Sequence, residues 1–269
     1  MNLNHSFLLG RFQRLNGISI FVKKKTMSFR IFLFYIIGIH FSIVNAQSKK
    51  VDHQNLVWTR YYNLLTINSK WSIHTEFDNR VFLNPVKENL FVIRSQGRYK
   101  INEHLETGLG FAYFSVYTQN PSVDFDFEIP EYRIQQDITY KSSLKKFTLN
   151  QRLKIEERFI HNSTGIELIP NTTFYWRFRY RLQIEYPLWK KENQYLKAIV
   201  NDELMFNGGK NVANNTFDQN RIYASLQYGL NKNFSIELGY LNSFQKRATG
   251  VDFYDRNIIR FSIFHKMNL

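Results

Sequence analysis

The chain contains no cysteine, which excludes disulfides, thiolate metal sites and a cysteine nucleophile. Proline (5) and glycine (12) are sparse in its 269 residues. No Pro/Ser/Gly-rich linker or low-complexity tract divides residues 47–269, which read as one domain. The apolar run Ile31–Val44 has fourteen residues, short of the roughly 20 that a membrane-crossing helix needs. A mean hydropathy of −0.39 excludes a multi-helix membrane protein. It leaves a β-barrel open, because only alternate residues of a barrel strand meet lipid. His53, His74, His104 and His265 show no metal-ligand spacing, so neither metal nor cofactor is expected.

Aromatic residues are abundant, at 17 % with 25 Phe and 16 Tyr, and such side chains fit the pleated surface of strands. The net charge is +14, but residues 1–46 carry six basic residues and no acidic one. The remainder holds 30 basic against 22 acidic residues, or +8, spread along the chain. With no nucleic-acid-binding module present, no nucleic-acid partner is expected.

Arg30, the apolar run 31–44 and the small-residue end Val44-Asn45-Ala46 follow the order of a secretory signal peptide. Residues 1–46 are therefore read as a leader cleaved after Ala46, with Met27 as an alternative start. Residues 47–269 are the exported domain.

That domain alternates apolar and polar residues with period two. Phe174, Trp176, Phe178, Tyr180, Leu182, Ile184 and Tyr186 share one face, against Arg177, Arg179, Arg181, Gln183 and Glu185 on the other. A helix would scatter these arginines around its cylinder, whereas a strand gathers them on one wall. Comparable runs are Trp71–Asp78, Tyr132–Ile138, Arg221–Leu230 and Phe234–Tyr240, with weaker ones near 54–65, 90–100, 104–117, 146–159, 195–206 and 256–269.

Short polar turns at 102–103, 141–145, 190–193 and 231–233 alternate with longer segments near 118–130, 160–173, 207–219 and 244–255. A barrel with one end in the periplasm and the other outside has that rhythm. Ile259, Phe261, Ile263, Met267 and Leu269 share a face of the last run, with His265 an imperfection. Such a C-terminal strand is what barrel-insertion machinery engages. Eleven runs conflict with the even strand number of bacterial single-chain barrels. Either the first run lies outside the wall or a strand is missed. The expected fold is an all-β, antiparallel up-and-down transmembrane β-barrel of 10–12 strands in the outer membrane of a Gram-negative cell, with membrane lipid as its surroundings.

From Gln151 onward, Gln151–Phe159, Arg177–Leu182, Asn201–Phe206, Phe217–Arg221 and Glu237–Tyr240 recur in an order and spacing that resembles the domain-of-unknown-function 2490 family of exported outer-membrane barrels. The resemblance covers most of residues 47–269, more weakly in the first half. It implies fold and location and brings no catalytic residues.

The candidate site is a charge ladder on the inward faces: Arg152, Lys154, Glu156 and Arg158; Arg177, Arg179, Arg181 and Glu185; Lys197 and Glu203; Arg221; Glu237. It reads either as a basic, porin-like lumen attracting small anionic solutes or as a mutually paired polar core filling a narrow barrel. A second candidate is His161-Asn162-Ser163-Thr164-Gly165, whose His-x-Ser-x-Gly spacing is that of outer-membrane phospholipases. There Ser163 would be nucleophile and His161 base, but the next strand offers no outward Asn to orient the histidine. Asp124–Glu128 lacks the glycine and ligand spacing of a calcium loop. The expected role is non-enzymatic, a narrow channel or a structural or surface-interaction barrel, with the lipid hydrolase as the alternative.

Overall fold

Period-two alternation commits nearly the whole domain to strands. A computed structural model describes residues 49–122, 128–164 and 167–269. The leader, its cleavage site and most of the acidic segment 124–128 lie outside the described residues. Among those described there are eleven strands: β1 Val51–Thr66, β2 Trp71–Leu83, β3 Val86–Lys100, β4 Leu105–Val116, β5 Ile129–Leu144, β6 Phe147–Ser163, β7 Leu168–Lys191, β8 Gln194–Gly208, β9 Phe217–Gly229, β10 Phe234–Lys246 and β11 Phe253–Asn268. Each pairs antiparallel with its chain neighbour, and β1 pairs with β11 to close the barrel.

The closing pair is parallel, running in unbroken register from Val51 opposite Phe253 to Thr66 opposite Asn268. Topology requires this. An up-and-down meander of odd strand number returns its last strand pointing the same way as its first. Every run seen in the sequence is therefore a wall strand, including the first, and the count is neither ten nor twelve.

One rim carries the connections 67–70, 101–104, 145–146, 192–193 and 230–233, here called the turn end. Asparagine side chains shape three of them: Asn68, Asn102 and Asn231 each accept two backbone N–H bonds at 2.8–2.9 Å. These are Asx turns. The other rim, the loop end, carries 84–85, 117–128, 164–167, 209–216 and 247–252. The short-and-long rhythm holds with two corrections. Asn84-Pro85 is a tight connection at the loop end. The long segment expected at 160–173 is mostly strand, because Phe159–Phe174 and Ile160–Thr173 extend the β6–β7 ladder and only 164–167 is left to connect.

The outer face is apolar over a broad band. Ile93, Leu109, Ile134, Leu153, Val200, Leu226, Leu238 and Ile259 point outward with 38–63 % of their surface exposed. Aromatic pairs edge this band at both rims. Trp71–Tyr99 (4.8 Å) and Phe147–Tyr186 (5.0 Å) lie at the turn end; Phe159–Phe174 (5.2 Å) and Phe244–Phe253 (4.6 Å) lie at the loop end. His265 belongs to this edging: its ring stacks on Phe234 at 4.2 Å and its Nδ1 bonds Tyr61 Oη at 2.8 Å.

Candidate functional site: the charged lumen

All twelve ladder residues lie on the inward parity of their strands, as the alternation requires. Neighbouring strands bring oppositely charged rungs together. Glu156 is fully buried and takes Arg179 at 2.6 Å, Arg133 at 3.1 Å and Arg177 at 3.9 Å. Arg158 bonds Glu131 at 2.5 Å, and Arg177 reaches Asp218 at 3.0 Å. Glu203 gives one oxygen to Arg152 and the other to Arg179, each at 2.7 Å. Lys154 donates to Gln135 at 2.8 Å and lies 3.8 Å from Asp137. Lys197 and Glu185 pair at 2.6 Å, and Glu237 takes Arg260 at 3.1 Å. Buried charges must be paired or hydrogen-bonded to offset their desolvation, and most of the ladder meets that condition.

Two rungs do not. Arg152, Arg181, Glu203 and Arg221 stand directly beside one another on β6, β7, β8 and β9. Both oxygens of Glu203 are taken by Arg152 and Arg179. Among the described residues no carboxylate reaches ion-pair distance of Arg181 or Arg221, and the Nε of each is buried without an acceptor.

The loop-side half of the lumen is filled. Leu56, Trp58, Phe82, Tyr223, Leu241 and Ile258 from β1, β2, β9, β10 and β11 form one cluster, each at most 4 % exposed. Leu90, Val92, Ala112 and Phe114 form a second on β3 and β4. Guanidinium groups cover the aromatic faces: Arg80 lies 3.9 Å from the Trp58 ring, Arg133 3.5 Å from Phe114 and Arg260 3.6 Å from Tyr223. These are cation–π contacts in a desolvated setting. Thr118 and Gln119, just after β4, are tied to inward side chains at the loop-side mouth. The carbonyl of Gln119 accepts from Gln54 at 3.0 Å, its side chain accepts from Arg256 at 2.9 Å, and the carbonyl of Thr118 accepts from Asn89 at 2.6 Å.

Two inward glycine positions let side chains cross a neighbouring strand. A Cβ on Gly108 would lie 2.5 Å from the Gln96 amide; without it, Gln96 of β3 reaches over β4 to Asp137 of β5 at 2.7 Å. A Cβ on Gly239 would lie 2.6 Å from the Tyr223 ring, which crosses β10 beneath Arg260 while its hydroxyl donates to Glu237 at 2.6 Å.

On the turn side of this packing lies a cavity of about 280 Å³. Ten Arg or Lys side chains line it against four Asp or Glu, while Asp137, Glu156 and Glu237 pair with its cations from beyond the lining. Tyr62, Leu64, Asn150 and Arg152, toward the turns, are partly exposed. Access is therefore from the turn end.

The alternation in the first half of the chain was read without assigning its charges to the site. Arg60, Glu76, Asp78, Arg80, Arg94 and Arg98 line the cavity all the same. The parity of His74, Glu76 and Asp78 opposite Trp71, Ile73 and Phe77 was the signal available.

The second sequence candidate is not assembled. His161 meets the Tyr132 ring edge-on at 6.0 Å, and no hydrogen bond joins it to Ser163 among the described residues. Asn162 accepts from Thr173 at 2.6 Å, beside a register shift in the β6–β7 ladder. Gly165 lies outside the described residues.

With the barrel and its lumen described, relatives can be placed beside them. Residues 55–254 match the family described as Protein of unknown function (DUF2490). The chain belongs to that family. No curated protein matches it. Two solved barrels are similar at 9 % identity. The β domain of the Bordetella autotransporter Brka has a TM-score of 0.40, over 65 % of this chain and 78 % of that one. The siderophore receptor PirA from Pseudomonas aeruginosa has a TM-score of 0.30, over 66 % of this chain and 31 % of that larger one.

Proposed function

We propose that this DUF2490 protein is an integral outer-membrane β-barrel of a Gram-negative cell, without enzymatic activity and without a through-pore. Membrane residence is supported by the outward apolar band, contributed by strands all round the wall where soluble proteins rarely leave large contiguous apolar patches, and by the aromatic edging of both rims. The export leader read in residues 1–46 accords with it. Under this reading the turn end faces the periplasm, outer-membrane lipid surrounds the wall, and β11 engages the insertion machinery.

The observation that carries the absence of a pore is the cluster around Trp58, whose members on β2, β1, β11, β10 and β9 are all but inaccessible. A conducting lumen needs a continuous water path, and hydrophobic constrictions interrupt one. The barrel is a sealed structural or surface-interaction scaffold, with its loop end as the outward surface.

The test has two arms. In detergent extracts the folded protein should migrate faster in gels when unheated than when boiled; a protein soluble without detergent sinks membrane residence. Reconstituted into planar bilayers, it should pass no steady current; discrete conductance steps would replace the sealed barrel with a channel. Phospholipid hydrolysis, assayed for wild type and Ser163→Ala, should be absent in both.

A further inference from the structure

We infer that the turn-side cavity is a binding site for a small dianionic oxyanion, phosphate or a phosphate monoester, with Arg181 and Arg221 as the cations it neutralises. Ion pairing alone leaves this half of the lumen incomplete. The register row Arg152–Arg181–Glu203–Arg221 holds three guanidiniums and one carboxylate, and Glu203 is saturated by Arg152 and Arg179. Arg181 donates no hydrogen bond to any described residue. Arg221 has only the Trp58 ring, at 5.2 Å. Arg181 and Arg221 are half-buried, with Nε of each shut off from water; a charge even partly withdrawn from water without an anion is unfavourable, and the two flank the same saturated glutamate.

The cavity lining has the polarity that suits an anion. The unpartnered buried nitrogens around the cavity include Nε of Arg60, Arg94, Arg152, Arg181, Arg221 and Arg260, all of them donors. Beside them Asn150 Oδ1 is an unpartnered acceptor, but the donors predominate and the lining favours an anion. Two uncompensated positive charges call for two negative ones, which favours a phosphoryl group at roughly −1.5 to −2 near neutral pH over a monocarboxylate. Guanidinium forks match phosphate oxygens in bidentate geometry. Arg181 and Arg221 stand two strand spacings of about 4.8 Å each apart and both line the cavity, with Glu203 of the intervening strand committed to Arg152 and Arg179. A volume of about 280 Å³, at the lower edge of ordinary ligand sites, admits phosphate or a short monoester. The site is independent of conductance, since a sealed lumen and a leaking one present the same row.

The experiment is calorimetric titration of the full, folded barrel in zwitterionic detergent at low ionic strength with inorganic phosphate, glycerol 3-phosphate and acetate. Wild type should bind one phosphate saturably, at least tenfold more tightly than acetate. Arg181→Gln and Arg221→Gln should each weaken it tenfold or more, and the double variant should abolish it. Binding of both phosphates assigns the monoester class; binding of inorganic phosphate alone assigns the free ion. Absence of saturable phosphate binding in wild type, affinity for acetate equal to that for phosphate, or full binding by a folded double variant overturns the site. Gel mobility with and without heating reports folding of each variant. Should the double variant not fold, the wild-type comparison of phosphate with acetate decides alone.

Discussion

The guanidinium of Arg80 lies 3.9 Å from the centre of the Trp58 ring, and both side chains point into the lumen from adjacent strands. Trp58 is 4 % exposed and packs in the cluster with Leu56, Phe82 and Ile258, while Arg80 is held from below by Asp78 at 2.8 Å. In the proposed sealed barrel the plug is thus an aromatic plate clamped by a positioned cation. Trp58→Ala is expected to cost about 3–5 kcal/mol, as large-to-small core truncations do, and to leave a void beside Arg80. Planar-bilayer recording should then show current steps that wild type lacks. A variant as silent as wild type would mean that the second cluster, around Phe114, seals the barrel by itself.

Glu156 and Glu185 make opposite predictions from the same chemistry. Glu156 is wholly buried among three arginines, so Glu156→Gln leaves uncompensated charge and should cost about 3–5 kcal/mol. Glu185 and Lys197 retain 19 % and 25 % of their side-chain surface, so Glu185→Gln should cost less than about 1 kcal/mol. The midpoint of heat-modified gel mobility, read against temperature, compares them. Equal midpoints would show that the lumen screens Glu156 as bulk water does.

Gly239 is inward on β10, and a side chain there collides with the Tyr223 ring. Because that ring carries both the Arg260 contact and the hydrogen bond to Glu237, it has little freedom to step aside. Gly239→Val is expected to lower the same midpoint by more than Gly97→Val does. Gly97 faces outward, and its nearest contact would be 3.9 Å away. A larger loss at Gly97 would place strand propensity above the crossing contact.

What the sequence revealed and what it hid have different physical origins. Period two is local, so the wall, the inward parity of Arg177 to Glu185 and the turns at Asn102 and Asn231 were all legible. Whether Arg179 or Arg181 finds a carboxylate depends on register with β6 and β8, which no single strand encodes. The same holds for the seal. Trp58, Phe82 and Tyr223 span 165 positions (223 − 58), and each looks like an ordinary aromatic within its own run. The first and last strands meet only on closure, so their relative direction was invisible, and the odd count looked like an error.

That closure is the most directly testable feature of the fold. In the parallel β1–β11 pair Asn55 stands opposite Asn257, both on the outward face, whereas Leu56 stands opposite Ile258 inside the lumen. The chain has no cysteine of its own, so two introduced thiols are unambiguous. Asn55→Cys with Asn257→Cys should cross-link under mild oxidation and give a closed-loop species that migrates differently after boiling without reductant. Asn55→Cys with Ile263→Cys should not. Ile263 is also outward but pairs with Tyr61, six residues and about 20 Å along the strand. An antiparallel seam, or a barrel that leaves β1 out of its wall, would remove the first cross-link.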